Sequence, residues 1–410
     1  MLSLNDTALE SNKYIKINFN GGDLSSDAGL LLVKEFACKL GFDKILKSGL
    51  KTNDPAIFRI HKDDENLWQM VYQILGAYFE DDCADDLTSA PVLTAVLGKE
   101  ALASQPILSQ FFNRMDESTL LDTYGHQEGE GFNFHYQSYG YPPLVSYDGR
   151  AGDLLKIELR NGTDYSCTGV TDFLKLLLDE FLAGYPEIPL LLRGDSGFAT
   201  PDLYKQSETN GTSYVIRLKE NHSLRRLAFG IEDQPFELTK NDKEFYAVAY
   251  GEFMYQAGSW DYPRHVVCKV EKQVDQLVHM FTFIVTNMDS PPEKLIRFYC
   301  KRGIMENFIK ESKNGFDIVA VSSPSKSVNA NRLQVHALVY NIFNWFKRLA
   351  LSAKLHKQQI GTIRLKLLKI AEKVVRSARY TIFKLCSSYP YKDEFYEALE
   401  NIRNLQPKLE

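Results

Sequence analysis

Leu190-Leu191-Leu192-Arg193-Gly194-Asp195-Ser196-Gly197-Phe198 is an apolar run that ends at an acid held between two glycines. Ala199-Thr200-Pro201-Asp202-Leu203-Tyr204 comes next, with Thr200 placed as an N-cap and Pro201 in the first turn of a helix. The passage reads as strand, tight turn, helix. In open α/β sheets ligands lie beyond the carboxyl ends of strands, which is where this pattern sets Asp195. Glycines on both sides let backbone or a ligand approach closely. An ordinary strand-to-helix turn with a capping Asp fits the same residues.

A second stretch, Tyr299-Cys300-Lys301-Arg302-Gly303-Ile304-Met305-Glu306-Asn307-Phe308-Ile309-Lys310-Glu311-Ser312-Lys313, reads as a helix. At about 100° per residue, Tyr299, Arg302, Glu306, Lys310 and Lys313 share one stripe, with Phe298, Met305, Phe308 and Ile309 beside it to dock the helix. One carboxylate among cations suits a metal-binding Glu next to a phosphate backbone. Surface ion pairs at helical spacing are the plainer reading.

Together the two stretches resemble the DDE transposases of bacterial insertion sequences, in the IS-thirteen-eighty-like group. Those proteins carry a second catalytic Asp in a GDSGF strand end and a catalytic Glu in a helix reading Y-x2-R-x3-E-x6-K. Tyr299, Arg302, Glu306 and Lys313 match that spacing, and the likeness extends from Phe19-Asn20-Gly21-Gly22-Asp23-Leu24-Ser25-Ser26-Asp27-Ala28-Gly29 to Asn329-Ala330-Asn331-Arg332. The resemblance implies an α/β fold: an RNase H-like mixed-sheet core with a β-rich insertion, flanked by helical N- and C-terminal regions. It implies Asp195 and Glu306 as catalytic, metal-holding carboxylates for two Mg²⁺ or Mn²⁺ ions. It further implies double-stranded DNA as partner, both transposon terminal inverted repeats and target, bound by a homodimer.

The family's first catalytic Asp ends the first core strand, in a DxDST-like segment. Here Ser118-Thr119 follow Asn113-Arg114-Met115-Asp116-Glu117, and no apolar strand leads in. Gln105 to Met115 reads as a helix instead, through Ile107, Leu108, Phe111, Phe112 and Met115. An internal deletion of about one helix-plus-strand unit, at least roughly a dozen residues, accounts for this. In register, Glu117 falls at the Asp position as a substitute, with Asp116 beside it and Asp122 next. The chain reads as a transposase of impaired activity; an inactive DNA-binding remnant and a host-use nuclease of the same fold are the alternatives.

Segment by segment, 1–115 reads as a helical domain, 116–220 as the first part of the core, and 221–290 as the β-rich insertion. Residues 291–320 supply the Glu helix and 321–410 a basic helical region. Trp260, with Tyr255 and Tyr262, suits either a buried insertion core or stacking on an unpaired base. His126 and His135 lack metal-ligand spacing, and the six cysteines lack CxxC pairs.

Net charge is −5, yet residues 294–384 hold nineteen Lys and Arg against four Asp and Glu, a local +15 that leaves −20 elsewhere. Such asymmetry points to phosphate contact. Tyr299, Arg302, Lys310, Lys313, Arg364, Lys366, Lys369 and Lys373 are the candidate DNA-binding residues. The acidic cluster Glu80 to Asp86 is unsuited to lie on phosphates. Apolar runs are far below a membrane span and no signal peptide is read, so the expected location is the bacterial cytoplasm, at the nucleoid.

Overall fold

The computed structural model describes residues 7–8, 11, 14, 16–17, 21–56, 58–115, 131–133, 138–141, 143–165, 167–232, 237–241, 244–273, 279–301, 303–319, 323–377 and 380–406. Asp116, Glu117, Asp122, His126, His135 and Arg302 lie outside the described residues. The chain divides into two compact units: residues 131–150 with 160–308, and residues 1–130, 151–159 and 309–410.

The first unit is built on a six-stranded mixed sheet. Numbered along the chain, its strands are β1 (Leu191–Gly194), β2 (Ser213–Leu218), β3 (Glu237–Asn241), β4 (Glu244–Tyr255), β5 (Arg264–Gln273) and β6 (Met280–Thr286). Their order is β3-β4-β5-β6-β2-β1. β1 and β2 are parallel, with Leu191 opposite Ser213 and Gly194 opposite Ile216; the other neighbours are antiparallel. The strands expected as an insertion thus continue the core sheet, since β6 pairs directly with β2, Ile284 opposite Arg217.

Successive side chains alternate between sheet faces. Tyr214, Ile216, Val266, Cys268, Phe283 and Val285 turn to one core, while Val215, Val267 and Ile284 turn to a second. The first core takes helices α1 (Val170–Gly184) and α2 (Pro201–Thr209) through Phe173, Leu174, Leu203 and Tyr204. Thr200 caps α2 by accepting from the Leu203 N–H. Helix α3 (His222–Glu232), which the sequence pattern did not suggest, buries Leu224, Ala228 and Ile231 at helical spacing. A Cβ on Gly251 of β4 would come within 2.3 Å of Ile231, so α3 lies where that strand offers no side chain. Trp260 is buried, edge-on to Tyr204 at 5.3 Å and Tyr255 at 5.4 Å, which makes it a core residue.

Helices α4 (Pro292–Cys300) and α5 (Gly303–Phe316) replace the single helix expected from Tyr299 onward. α4 ends at Cys300 and α5 begins at Gly303, so Tyr299 and Glu306 lie on separate helices. Tyr299 instead joins Leu295 and Ile296 on the second core.

The second unit gathers around α6 (Lys326–Ala350), whose Val335, Val339, Ile342, Phe343 and Phe346 are buried. Asn331 donates to the Phe112 carbonyl at 3.0 Å and Arg332 pairs with Asp81 of the acidic cluster. Arg348 forms a two-pronged bridge to Asp153, at 3.1 and 3.0 Å. The basic region expected to be helical over 321–410 is only partly so. Glu372–Arg376 and Thr381–Leu385 are strands, sheeted with Leu24–Ser25. β-Branched Val374, Val375 and Ile382 favour extended backbone, and Glu372, Lys373 and Val374 run buried, exposed, buried with a period of two. Gly29 has a steric reason: a Cβ there would stand 1.7 Å from the Leu367 carbonyl oxygen. No helix among the described residues is long and apolar enough to cross a membrane.

Candidate active site

Asp195 comes directly after the carboxyl end of β1, as the strand-turn-helix reading requires. Its backbone is extended, and its carboxylate accepts the Gly197 N–H at 2.8 Å, capping the short turn Ser196–Phe198. The glycine before it answers a packing need. A Cβ on Gly194 would meet the Phe198 Cβ at 2.9 Å, so the turn folds back onto the strand only with glycine there. Asp195 is half-buried.

Glu306 sits in the first turn of α5, where a negative charge is favoured by the helix dipole. It is exposed, and Lys310 and Lys313 are exposed one and two turns further along the same face. Two contacts hold the neighbourhood of these acids, one between β1 and α4 and one between the strand Leu144–Tyr147 and α5. The Arg193 guanidinium, two residues before Asp195, donates to the Phe298 carbonyl at 3.3 Å and lies 5.6 Å from the Phe298 ring. The Tyr147 ring stands 6.0 Å from the Phe308 ring, two residues beyond Glu306. Below them, Leu295, Ile296 and Tyr299 hold α4 on Val215, Val267 and Ile284.

The donor chemistry of Asp195 and Glu306 is oxygen only, which fits a hard divalent cation such as Mg²⁺ or Mn²⁺. Among the described residues, no three His, Cys, Asp or Glu side chains cluster closely enough to form a metal site. The candidates for a third carboxylate, Glu117, Asp116 and Asp122, are outside the described residues.

The cations expected on DNA separate into two groups. Lys310, Lys313 and Lys373 are exposed. Arg364, by contrast, is a correction: it is buried, donating to the Leu75 and Ile74 carbonyls at 2.8 and 2.7 Å between the Phe79 and Phe316 rings. Burial presses its pKa down to about 10. It holds the last two carbonyls of the helix Asp63–Leu75. Tyr299 is a second correction, being 5 % exposed and packed on the sheet. Lys369 is bound to Asp27 at 2.6 Å and lies over the Tyr78 ring. Lys366 donates to Gln358 at 3.1 Å and lies over Tyr391.

Arg193 is the site residue that motif spacing does not single out. A cation inside an otherwise apolar strand run was the available signal, because such a group needs a specific partner.

A family model described as Transposase DDE domain group 1 matches residues 7–122 and 115–407. No curated protein matches the chain.

Proposed function

Because the chain belongs to the Transposase DDE domain group 1 family, whose members carry out DNA transposition, we propose that it is an insertion-sequence transposase that cuts and joins DNA at transposon ends with impaired efficiency. Asp195 and Glu306 are the two carboxylates of that reaction in this reading. Divalent cations, when bound, activate the attacking oxygen and stabilise the leaving one. The chain's own residues hold and orient: Asp195 from a rigid strand end, Glu306 from the first turn of a helix, with Lys310 and Lys313 neutralising phosphates along that helix. The finer assignment to the IS-thirteen-eighty-like group rests on the spacing of Tyr299, Arg302, Glu306 and Lys313. Double-stranded DNA bound by a homodimer, at the bacterial nucleoid, belongs to the same proposal.

One observation carries the impairment. β1 is the edge strand of the six-stranded sheet, with no described strand on its outer side. In an RNase H-like core the strand bearing the first Asp pairs there. The family match supports this, since its two segments meet and overlap at residues 115–122, at the position of the inferred deletion. The inactive, DNA-binding remnant is favoured by the same edge, where no described strand pairs, and is the second reading. A Mn²⁺-supported cleavage assay on end-bearing DNA, with Asp195→Asn and Glu306→Gln as controls, separates them. Weak cutting that both substitutions abolish supports the transposase reading; DNA binding with no cutting supports the remnant; cutting indifferent to both sinks the site assignment.

A further inference from the structure

The geometry points to Arg193 as a positioning residue that sets the spacing between Asp195 and Glu306; the inference rests on the proposed transposase function. Arg193 lies on β1 two residues before Asp195. Its guanidinium reaches the last turn of α4 and donates to the Phe298 carbonyl at 3.3 Å. Carbonyls at a helix C-terminus lack intrahelical partners, and a cation there is favoured by the helix dipole. The Lys301 N–H also donates to the Phe298 oxygen, at 3.3 Å, so one acceptor fastens both the end of α4 and the β1 strand. The Phe298 ring, 5.6 Å from the guanidinium carbon, restricts how the planar group can turn.

The short connection after α4 gives this contact its consequence. α4 ends at Cys300 and α5 begins at Gly303, with Glu306 in its first turn. With α5 beginning three positions after α4 ends, the end of α4 sets where α5 starts. The apolar side of α4 fixes that helix against the sheet through Leu295, Ile296 and Tyr299. Apolar contact is non-directional and leaves the helix end free to swing or slide. The Arg193 bond is directional, and it comes from the strand just before Asp195. A Cβ built on Gly149 would lie 3.7 Å from an Arg193 terminal nitrogen, so the turn after Tyr147 also packs against the guanidinium.

A positioning role differs from a merely stabilising one. Removing Arg193 leaves the apolar docking of α4 intact, so the fold persists while the carboxylate spacing loosens. Groups that orient metal ligands without touching the metal typically contribute about 10–100-fold in metal affinity.

The test uses the full chain. Nitroxide labels at Ser196→Cys and Asn307→Cys, both exposed positions, in a background with the six native cysteines replaced, report the spacing by pulsed electron resonance. Arg193→Ala broadens the distance distribution, and Arg193→Lys, which still reaches the carbonyl, narrows it again. In the unlabelled chain Arg193→Ala weakens Mn²⁺ binding by about tenfold, at the low end of that range, with an unchanged melting profile without metal. An unaltered distance distribution overturns the inference, as does a broadened one with Mn²⁺ affinity intact. Mn²⁺ binding by the unmodified chain that ignores Asp195→Asn and Glu306→Gln overturns the functional reading instead; the distance distribution still decides Arg193.

Discussion

The Arg193 guanidinium donates to the backbone carbonyl of Phe298 at 3.3 Å, joining the strand just before Asp195 to the helix just before the one that carries Glu306. The two acids are 111 positions apart in sequence, so only sheet and helix packing can relate them. Val215, Val267 and Ile284 supply the floor on which the second element rests.

Asp195→Asn and Glu306→Gln should each abolish metal-dependent DNA cleavage while leaving the fold intact. Loss of one well-placed electrostatic group costs about two to three orders of magnitude in rate. Asn at 195 retains an oxygen to accept the Gly197 N–H, so the turn survives. Single-turnover cleavage alongside circular dichroism checks this; retained cutting by either variant rejects the carboxylate assignment.

Neutralising the exposed cations and the buried one should give opposite phenotypes. Lys310→Gln, Lys313→Gln and Lys373→Gln together should weaken DNA binding at every sequence and flatten its salt dependence, because fewer counterions are released. Arg364→Met should leave the salt slope alone and destabilise the fold by on the order of 2–4 kcal/mol, since two buried carbonyls lose a charged donor. Salt titrations of binding and urea melts read the two effects; a flattened slope in Arg364→Met would return that residue to the DNA face.

The contrast shows what was legible in the sequence. β2 spans Ser213–Leu218 as its apolar pattern predicts, and Asp195 directly follows a strand because the run before it is apolar and the glycines around it allow a turn. Charge counting could not tell Arg364 from Lys373, because a solvated cation and a buried cap have the same composition. The division of the Tyr299–Lys313 stretch between two helices was hidden as well: the helical stripe reads in phase across it, whereas α4 ends at Cys300, α5 begins at Gly303, and Tyr299 packs on the sheet. Likewise the C-terminal strands carry enough lysine to pass for basic helix, and their period of two emerges over only five residues each.

Glu372 should make stability fall as pH rises. It is 3 % exposed, accepts the Ala28 N–H at 3.2 Å, and lies near the Asp27 charge. Burial, with the Asp27 charge adding, pushes its pKa up to about 7 against hydrogen bonds from Ser25 and Ala28. Above the ordinary carboxylate range the unfolded chain has released this proton while the folded chain keeps it. Stability therefore declines between about pH 4.5 and 7, by up to about 3 kcal/mol, and levels off above. Glu372→Gln should remove that slope, raising the melting temperature at pH 8 and leaving it near unchanged at pH 4.5. Parallel pH profiles for the two chains would contradict this.

The last expectation concerns the third carboxylate. Two acids on rigid elements can hold a cation loosely, whereas the DDE reaction uses three, and β1 has no described strand on its outer side to bring the third. Cleavage at transposon ends by the unmodified chain should therefore be slow, by about two to three orders of magnitude relative to an intact site. Glu117→Gln, Asp116→Asn and Asp122→Asn provide the discrimination. If one of them removes the residual Mn²⁺-supported cutting as completely as Asp195→Asn does, that residue supplies the missing ligand. If none does, the residual chemistry runs on Asp195 and Glu306 alone, and adding a strand ending in Asp upstream of Ser118 should raise the rate. Rapid cutting by the unmodified chain would refute the impaired reading outright.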